Sequence, residues 1–299
     1  MTGPVWNLLR GVFLVAVVVG AWWSWRDSGD ELRRALDQVA PAQVALAGAL
    51  VLVGLVVTGA VWRVALGAFG LGGPVREVVP PFFVAQLGKY IPGSVWSFAA
   101  QGALGARRGL PPRVPAAAAV LFLGAHVSSG LLLAGLFGWW TGLPAWVVSV
   151  ALLVGVVGLV PAVHRAVGRR VAGAECGWTL HHSLVAAALM VPVWACYALA
   201  LVALAPDVDA RTALTLGCAF AVAHAAGVAV PVAPAGLGAR DGVLVVLLAP
   251  VLGTGPAGMV ALVARLLHAV ADFVVAGAAW LVVRASDARR PSGGPTPGH

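Results

Sequence analysis

Apolar residues gather into long unbroken runs instead of alternating with polar ones, and this pattern predicts helices that cross a bilayer. A helix rises 1.5 Å per residue, so about 20 apolar residues cover the hydrocarbon core. Runs of that kind lie at 5–25, 42–62, 114–138, 144–162, 181–204 and 256–284. Two further apolar regions do not fit as simple spans. Residues 74–106 carry Pro80, Pro81, Pro92 and Gly93; residues 211–252 carry Pro231, Pro234, Gly236, Gly238 and Gly242. Proline removes a backbone donor and glycine loosens the chain, so each region reads as two helical arms joined by an irregular elbow. Lipid offers no hydrogen-bond partners, so an elbow at that depth is shielded by protein or lines a wet cavity. The expected fold is an all-α polytopic membrane protein with about six full transmembrane helices and two opposed re-entrant hairpins, 74–106 and 211–252. The arm 211–231 is also long enough to cross completely. Residues 1–284 form one transmembrane domain, and 285–299, rich in Pro, Gly and Ser, a disordered cytoplasmic tail.

Composition narrows the class. Hydrophobic residues make up 61% of the chain and charged residues 10%, against about 25% charged in a soluble domain. No short alternating strands suggest a β-barrel. The first run ends in Trp22-Trp23-Ser24-Trp25 with no small-residue cleavage site after it, so it reads as an anchor with an interfacial aromatic belt. Ser28-Gly29-Asp30-Glu31 resembles a capping box, opening a short helix on the outer surface with Leu32, Leu36 and Val39 on one face. Cys176, Cys196 and Cys218 lie far apart and read as core residues.

Charge sets the orientation. Arg107, Arg108 and Arg113 form one basic loop, Arg165, Arg169 and Arg170 another, and Arg284, Arg289 and Arg290 begin the tail. By the positive-inside rule these face the cytoplasm, as do both termini. The mixed segment holding Asp27, Asp30, Glu31 and Asp37, and the loop with Asp207 and Asp209, face outward. The first hairpin then enters from the cytoplasm and the second from outside, each flanked by full spans. That is an inverted repeat, the arrangement in which broken helices meet at a transporter's midplane site.

The ionisable residues at membrane depth are the candidate chemistry, because a charge there is costly. Lys89, the only lysine, precedes the Ile91-Pro92-Gly93 elbow. An arm starting near Ser94 aims its amides at that elbow, which with Lys89 makes an anion site suited to phosphate. Otherwise Lys89 snorkels to water or bonds elbow carbonyls. Gln86, Tyr90, Pro92, Gly93 and Ser94 belong to the same candidate site. At the mirror position, after Gly236 and Gly238, stand Arg240 and Asp241. Either Arg240 holds a phosphate as a planar fork, with Asp241 as its partner when no ligand is bound, or the two residues serve only the new helix start. Arg265, His268 and Asp272 share one face of the last span and are candidates for coupling or gating. An Arg–Asp pair tying that span to the second hairpin is the plainer reading. His126, with Ser128 and Ser129, is a further coupling candidate, although helix-packing hydrogen bonds suffice for it and for His224. His181 and His182 read as solvated. No metal-ligand spacing, phosphate-binding loop or nucleophile elbow occurs, so no enzyme activity, cofactor, metal or nucleic acid is expected.

Gln86-Leu87-Gly88-Lys89-Tyr90-Ile91-Pro92-Gly93-Ser94-Val95-Trp96 resembles a conserved element of the lysylphosphatidylglycerol synthase transmembrane-region family. Pro234-Ala235-Gly236-Leu237-Gly238-Ala239-Arg240-Asp241-Gly242 resembles a second, and Ala264-Arg265-Leu266 the Arg-bearing start of its last span. The similarity runs over roughly residues 40 to 284. It implies a flippase-like fold in the bacterial cytoplasmic (inner) membrane. Some members are fused to an aminoacyl-lipid synthase, and others work beside glycosyltransferases on polyprenyl-phosphate carriers. No soluble synthase domain follows residue 285, so a stand-alone member is expected. Where relatives often carry an acidic–basic pair after the first hairpin, this chain has Leu123-Gly124-Ala125-His126-Val127-Ser128-Ser129. The expected activity is movement of an anionic lipid headgroup, a phospholipid or a polyprenyl-phosphate-linked sugar, across the bilayer by alternating access. A glycosyltransferase or lipid-modifying enzyme is the partner the resemblance implies. The rival readings are a solute transporter on the same repeat and a non-transporting scaffold for such an enzyme.

Overall fold

A computed structural model describes residues 39–90, 96–106, 109–206, 208–230 and 236–288, with Arg34 and Asp37. The expected span 5–25, the Ser28–Glu31 cap, the cores of both elbows and the tail from residue 289 lie outside the described residues. Within them the fold is all-α. The helices are α1 (Pro41–Gly67), α2 (Val75–Gln86), α3 (Trp96–Ala106), α4 (Arg113–Phe137), α5 (Ala145–Gly158), α6 (Pro161–Ala172), α7 (Leu180–Leu204), α8 (Ala210–Ala229), α9 (Ala239–Leu252) and α10 (Thr254–Ala288). A 3₁₀ turn, Leu87–Tyr90, follows α2.

Five helices, α1, α4, α7, α8 and α10, are each long and apolar enough to cross a bilayer. The arms α2 and α3 have 12 and 11 residues, well short of the roughly 20 a crossing needs. The second broken region is unequal: α8 has 20 residues and qualifies as a span, whereas α9 has 14.

The structure corrects two expectations nearby. The run 144–162 is not one straight span, because α5 ends at Gly158 and the chain bends by 64° into α6. Leu159-Val160-Pro161 supplies the break, with Pro161 in the first turn of α6, where its missing N–H costs nothing. The basic stretch with Arg165, Arg169 and Arg170 is that helix, not a loop. It buries His164, Gly168 and Ala172 at every fourth position and leaves Val163, Val167 and Val171 exposed beside its arginines. An apolar stripe edged by arginines suits the headgroup layer. Arg165 Nη1 donates to the Trp178 carbonyl at 3.0 Å, which pins α6 to the chain entering α7.

Packing among the helices follows a two-way pattern. The most extensive contact joins α1 to α7, where Gly54 meets the Tyr197 ring. Helix α2 packs on α10 as α8 packs on α4, and α3 packs on α4 as α9 packs on α10. Helices α2 and α3 pack together, as do α8 and α9. Exchanging α1–α4 with α7–α10 therefore maps this set of contacts onto itself. Helices α5 and α6 stand outside the pattern, both against α4. Side-chain hydrogen bonds tie two further pairs: Trp62 Nε1 on α1 donates to the Val78 carbonyl on α2 at 2.9 Å, and Trp194 Nε1 on α7 donates to Ser129 Oγ on α4 at 3.1 Å.

The 3₁₀ turn crosses α3 at very close range. A Cβ on Gly88 would fall 2.5 Å from the Ser97 amide nitrogen, a backbone atom that cannot swing away. Gly88→Ala is therefore expected to cost about 1–3 kcal/mol and to lower the detergent melting temperature. An unchanged melt would show that the two segments can separate freely.

Candidate functional site

Helix α10 carries the polar stripe that organises the site. Arg265 and Asp272 stand two turns apart, about 10 Å, and each takes an opposite charge from a different broken region. Asp272, whose side chain is 5% exposed, lies 2.7 Å from Lys89 Nζ. The Tyr90 hydroxyl donates to the same Asp272 oxygen at 2.5 Å. The Tyr90 ring stacks on Phe273, centroids 5.4 Å apart, which sets the direction of that hydroxyl. One turn of 3₁₀ helix thus delivers two donors to one buried carboxylate. Such a carboxylate is costly unless it is both paired and hydrogen-bonded.

On the other side Arg265 Nη1 pairs with Asp241 Oδ2. Asp241 occupies the third position of α9, and the same oxygen accepts the Gly238 N–H at 3.2 Å. It therefore caps α9 while anchoring it to α10. Gly236 and Gly238 adopt φ of 71° and 81°, a region that side chains resist. Glycine is what lets the chain turn into α9 at this spot. The tie between the last span and the second broken region is thus Arg265–Asp241, and Asp241 is not the partner of Arg240.

Arg240 makes no ion pair among the described residues. Its Cβ packs against the bare backbone of Gly227, and its guanidinium lies 4.8 Å from the centre of the Phe220 ring. Its Nε and Nη2 are buried and have no hydrogen-bond partner among the described residues. The aromatic face offers cation–π attraction but accepts none of the planar fork's hydrogen bonds. Asp241 Oδ1 is likewise buried without a partner. Each such group costs about 1–3 kcal/mol if it stays unpaired.

Beside Arg240 the structure assembles a cluster that sequence spacing did not indicate. His268 lies 5.3 Å from Phe220 and 4.9 Å from Tyr197, ring centre to ring centre. Its Nδ1 donates to the Ala264 carbonyl at 2.7 Å, and its Nε2 has no partner among the described residues. His126 is 6% exposed, and neither of its ring nitrogens has a partner among the described residues. It does not make the expected helix-packing hydrogen bond; Ser129 makes it instead, through Trp194. The His126 ring sits 4.9 Å from that of His224. His182 is also not merely solvated, since its Nδ1 accepts from the Thr179 N–H at 3.2 Å and caps α7.

Of the residues the sequence singles out, Lys89, Tyr90, Arg240, Asp241, Arg265, His268 and Asp272 fall along one connected polar strip, with His126 beyond His224. Gln86 ends α2, half-buried, next to the 3₁₀ turn. Pro92, Gly93 and Ser94 lie outside the described residues. Tyr197, Phe220 and His224 complete the site. Phe220 and His224 are four apart on α8 and so share a face, the one faint sign available beforehand.

No curated protein matches the sequence. The elements read above do have a counterpart among families: the model of the lysylphosphatidylglycerol synthase transmembrane region matches residues 9–276. With nearly the whole chain aligned to that model, and with a polytopic all-α fold, this membrane protein belongs to the lysylphosphatidylglycerol synthase transmembrane-region family.

Proposed function

We propose that the protein is a lipid transporter that moves an anionic headgroup across the membrane, with Arg240 as the seat of its phosphate. The observation that carries this reading is a guanidinium buried against Phe220 with Nε and Nη2 unpartnered. Those two N–H groups form one edge of the planar fork, which matches two oxygens of a phosphate ester. Lys89 and Arg265 are already matched by Asp272 and Asp241, so of these three cations Arg240 is the one with charge to offer. Acyl or prenyl tails stay in lipid, and only the headgroup passes the strip.

Family membership and the self-mapping contact pattern support a mechanism in which two equivalent halves rock against each other. The two ion pairs on α10 hold the broken regions together in the conformation described. Opening toward one face then requires one pair to part while the other holds. The protein is placed in a cytoplasmic membrane with its arginine-rich segments, α6 included, on the inner side.

The test is transfer in proteoliposomes. Purified protein is reconstituted with NBD-labelled phosphatidylglycerol, and dithionite quenching reports how much label reaches the outer leaflet. Quenching beyond the half expected of protein-free vesicles supports the reading. Protein-free behaviour with phosphatidylglycerol and with a polyprenyl-phosphate sugar would overturn it.

A further inference from the structure

Three imidazoles from three helices, His126 on α4, His224 on α8 and His268 on α10, meet around the aromatic wall of Trp194, Tyr197 and Phe220. His126 and His224 lie 4.9 Å apart, and Trp194 is 4.9 Å from the first and 5.6 Å from the second. His268 and Arg240 share the Phe220 ring, at 5.3 and 4.8 Å. Both nitrogens of His126 and Nε2 of His268 are buried and unpartnered among the described residues. Aromatic packing needs none of these nitrogens, and phenylalanine would fill the same space without the cost of unpaired polar atoms. No group of three His, Cys, Asp or Glu among the described residues is arranged to hold a metal ion. One buried and two half-buried imidazoles, with three ring nitrogens unpartnered among the described residues, can take up a proton.

We propose that His126, His224 and His268 form a proton-binding cluster coupled to the anion on Arg240, so that headgroup and proton enter the site together. The inference rests on the anion-seat reading above and deepens it. The charges that reach His224 and His268 from outside the cluster are those of Arg240 and Lys89, both positive. The other titratable groups on α4, α7 to α10 and the 3₁₀ turn are Cys196 and Tyr197 on α7, Cys218 on α8, Tyr90 on the turn, Asp241 on α9, and Arg265 and Asp272 on α10; Arg113, His181, His182, Arg211, Arg284 and Asp287 stand at helix ends. The carboxylates of Asp241 and Asp272 are taken, the first by Arg265 and the second by Lys89 and Tyr90. A proton on the cluster therefore adds a positive charge beside an unmatched one, in a medium that screens poorly. A phosphate on Arg240 cancels that repulsion, and by linkage a protonated cluster tightens the phosphate in equal measure. The step forms and breaks no covalent bond: one proton from water and one anion enter together, and the site's net charge is unchanged.

The test uses the full-length protein in detergent with two probes whose phosphodiester does not titrate between pH 5 and 9. Dihexanoyl phosphatidylglycerol represents the lipid source and glycerophosphoglycerol the free headgroup. For wild type, Kd is expected to fall as pH falls, by up to about tenfold per pH unit for one coupled proton. Calorimetry in buffers of different ionisation enthalpy should show uptake approaching one proton per anion. The His126→Gln/His224→Gln/His268→Gln variant should bind with a pH-independent Kd and no uptake. In ¹⁵N-histidine-labelled wild-type protein, which needs no variant to fold, the lipid at pH 7 should move ring resonances toward the protonated pattern. A flat Kd with no uptake in wild type, or the same uptake in the triple variant, overturns the coupling while leaving the anion seat standing. Binding of neither probe at any pH overturns both. Binding of glycerophosphoglycerol as tightly as the lipid assigns the site to a soluble phosphodiester.

Discussion

Arg240→Met is expected to slow headgroup transfer by at least ~100-fold while leaving the protein as stable as wild type, or slightly more so. Two charge-assisted hydrogen bonds to phosphate are lost, each worth about 1.5–3 kcal/mol. Even the lower figure, doubled, corresponds to roughly 100-fold. The fold loses little, because Nε and Nη2 bond nothing among the described residues. Methionine keeps most of the length and lays a polarizable sulfur on the Phe220 ring. Replacing a buried, unpartnered polar head by an apolar one is neutral to favourable. A residue kept only to hold α9 in place would behave the opposite way, with lower stability and transfer falling only in step. Arg240→Lys keeps the charge and loses the fork, so an intermediate loss of about tenfold is expected. Dithionite quenching rates and melting curves of the same preparations decide the matter, and wild-type transfer by Arg240→Met would remove Arg240 from the site.

Lys89→Ala is expected to destabilise the protein by about 2 kcal/mol, and Asp272→Asn by less. Were Lys89 only an anion-binding or snorkelling side chain, its removal would spare the fold; it is costly because Lys89 neutralises a carboxylate that is 5% exposed. Removing one partner of a fully buried pair costs about 3–5 kcal/mol, since the other charge stays stranded. Two features lower the figure here. Lys89 is 36% exposed, so water already screens it, and the Tyr90 hydroxyl remains on Asp272. The asymmetry is the informative part: a stranded Asp272 is buried, whereas a stranded Lys89 can reach water. The double variant Lys89→Ala/Asp272→Asn should regain most of the loss, a coupling readable from a double-mutant cycle of melting temperatures. Additive single effects would mean that the two residues do not stabilise each other.

Much of the architecture was legible because its causes are local. Bilayer thickness sets how many apolar residues a span needs, and α1, α4, α7 and α10 begin and end within a few residues of the runs at 42–62, 114–138, 181–204 and 256–284. Proline and glycine act on their own backbone, so the interruptions around residues 90 and 235 were visible as breaks. The run 144–162 misled because hydropathy does not register the bend at Leu159–Pro161, and α6 was hidden because its arginines masked the four-residue spacing of its buried face.

Which charges meet was not legible. Asp272 and Tyr90 are 182 positions apart, and Arg265 prefers Asp241 although Arg240 is that carboxylate's immediate neighbour in the chain. On α9 adjacent residues point about 100° apart, so Asp241 faces α10 while Arg240 faces Phe220 on α8. His126 and His224 looked like isolated polar residues until the packing of α4 on α8 brought their rings together. The amino-acid order by itself determined that this is a helical membrane protein with costly charges beside two helix breaks, because solvation by lipid acts on each segment separately. Only the tertiary structure decided that Lys89 is spent on Asp272 and Arg240 is left unmatched, because pairing depends on which helix faces turn toward each other.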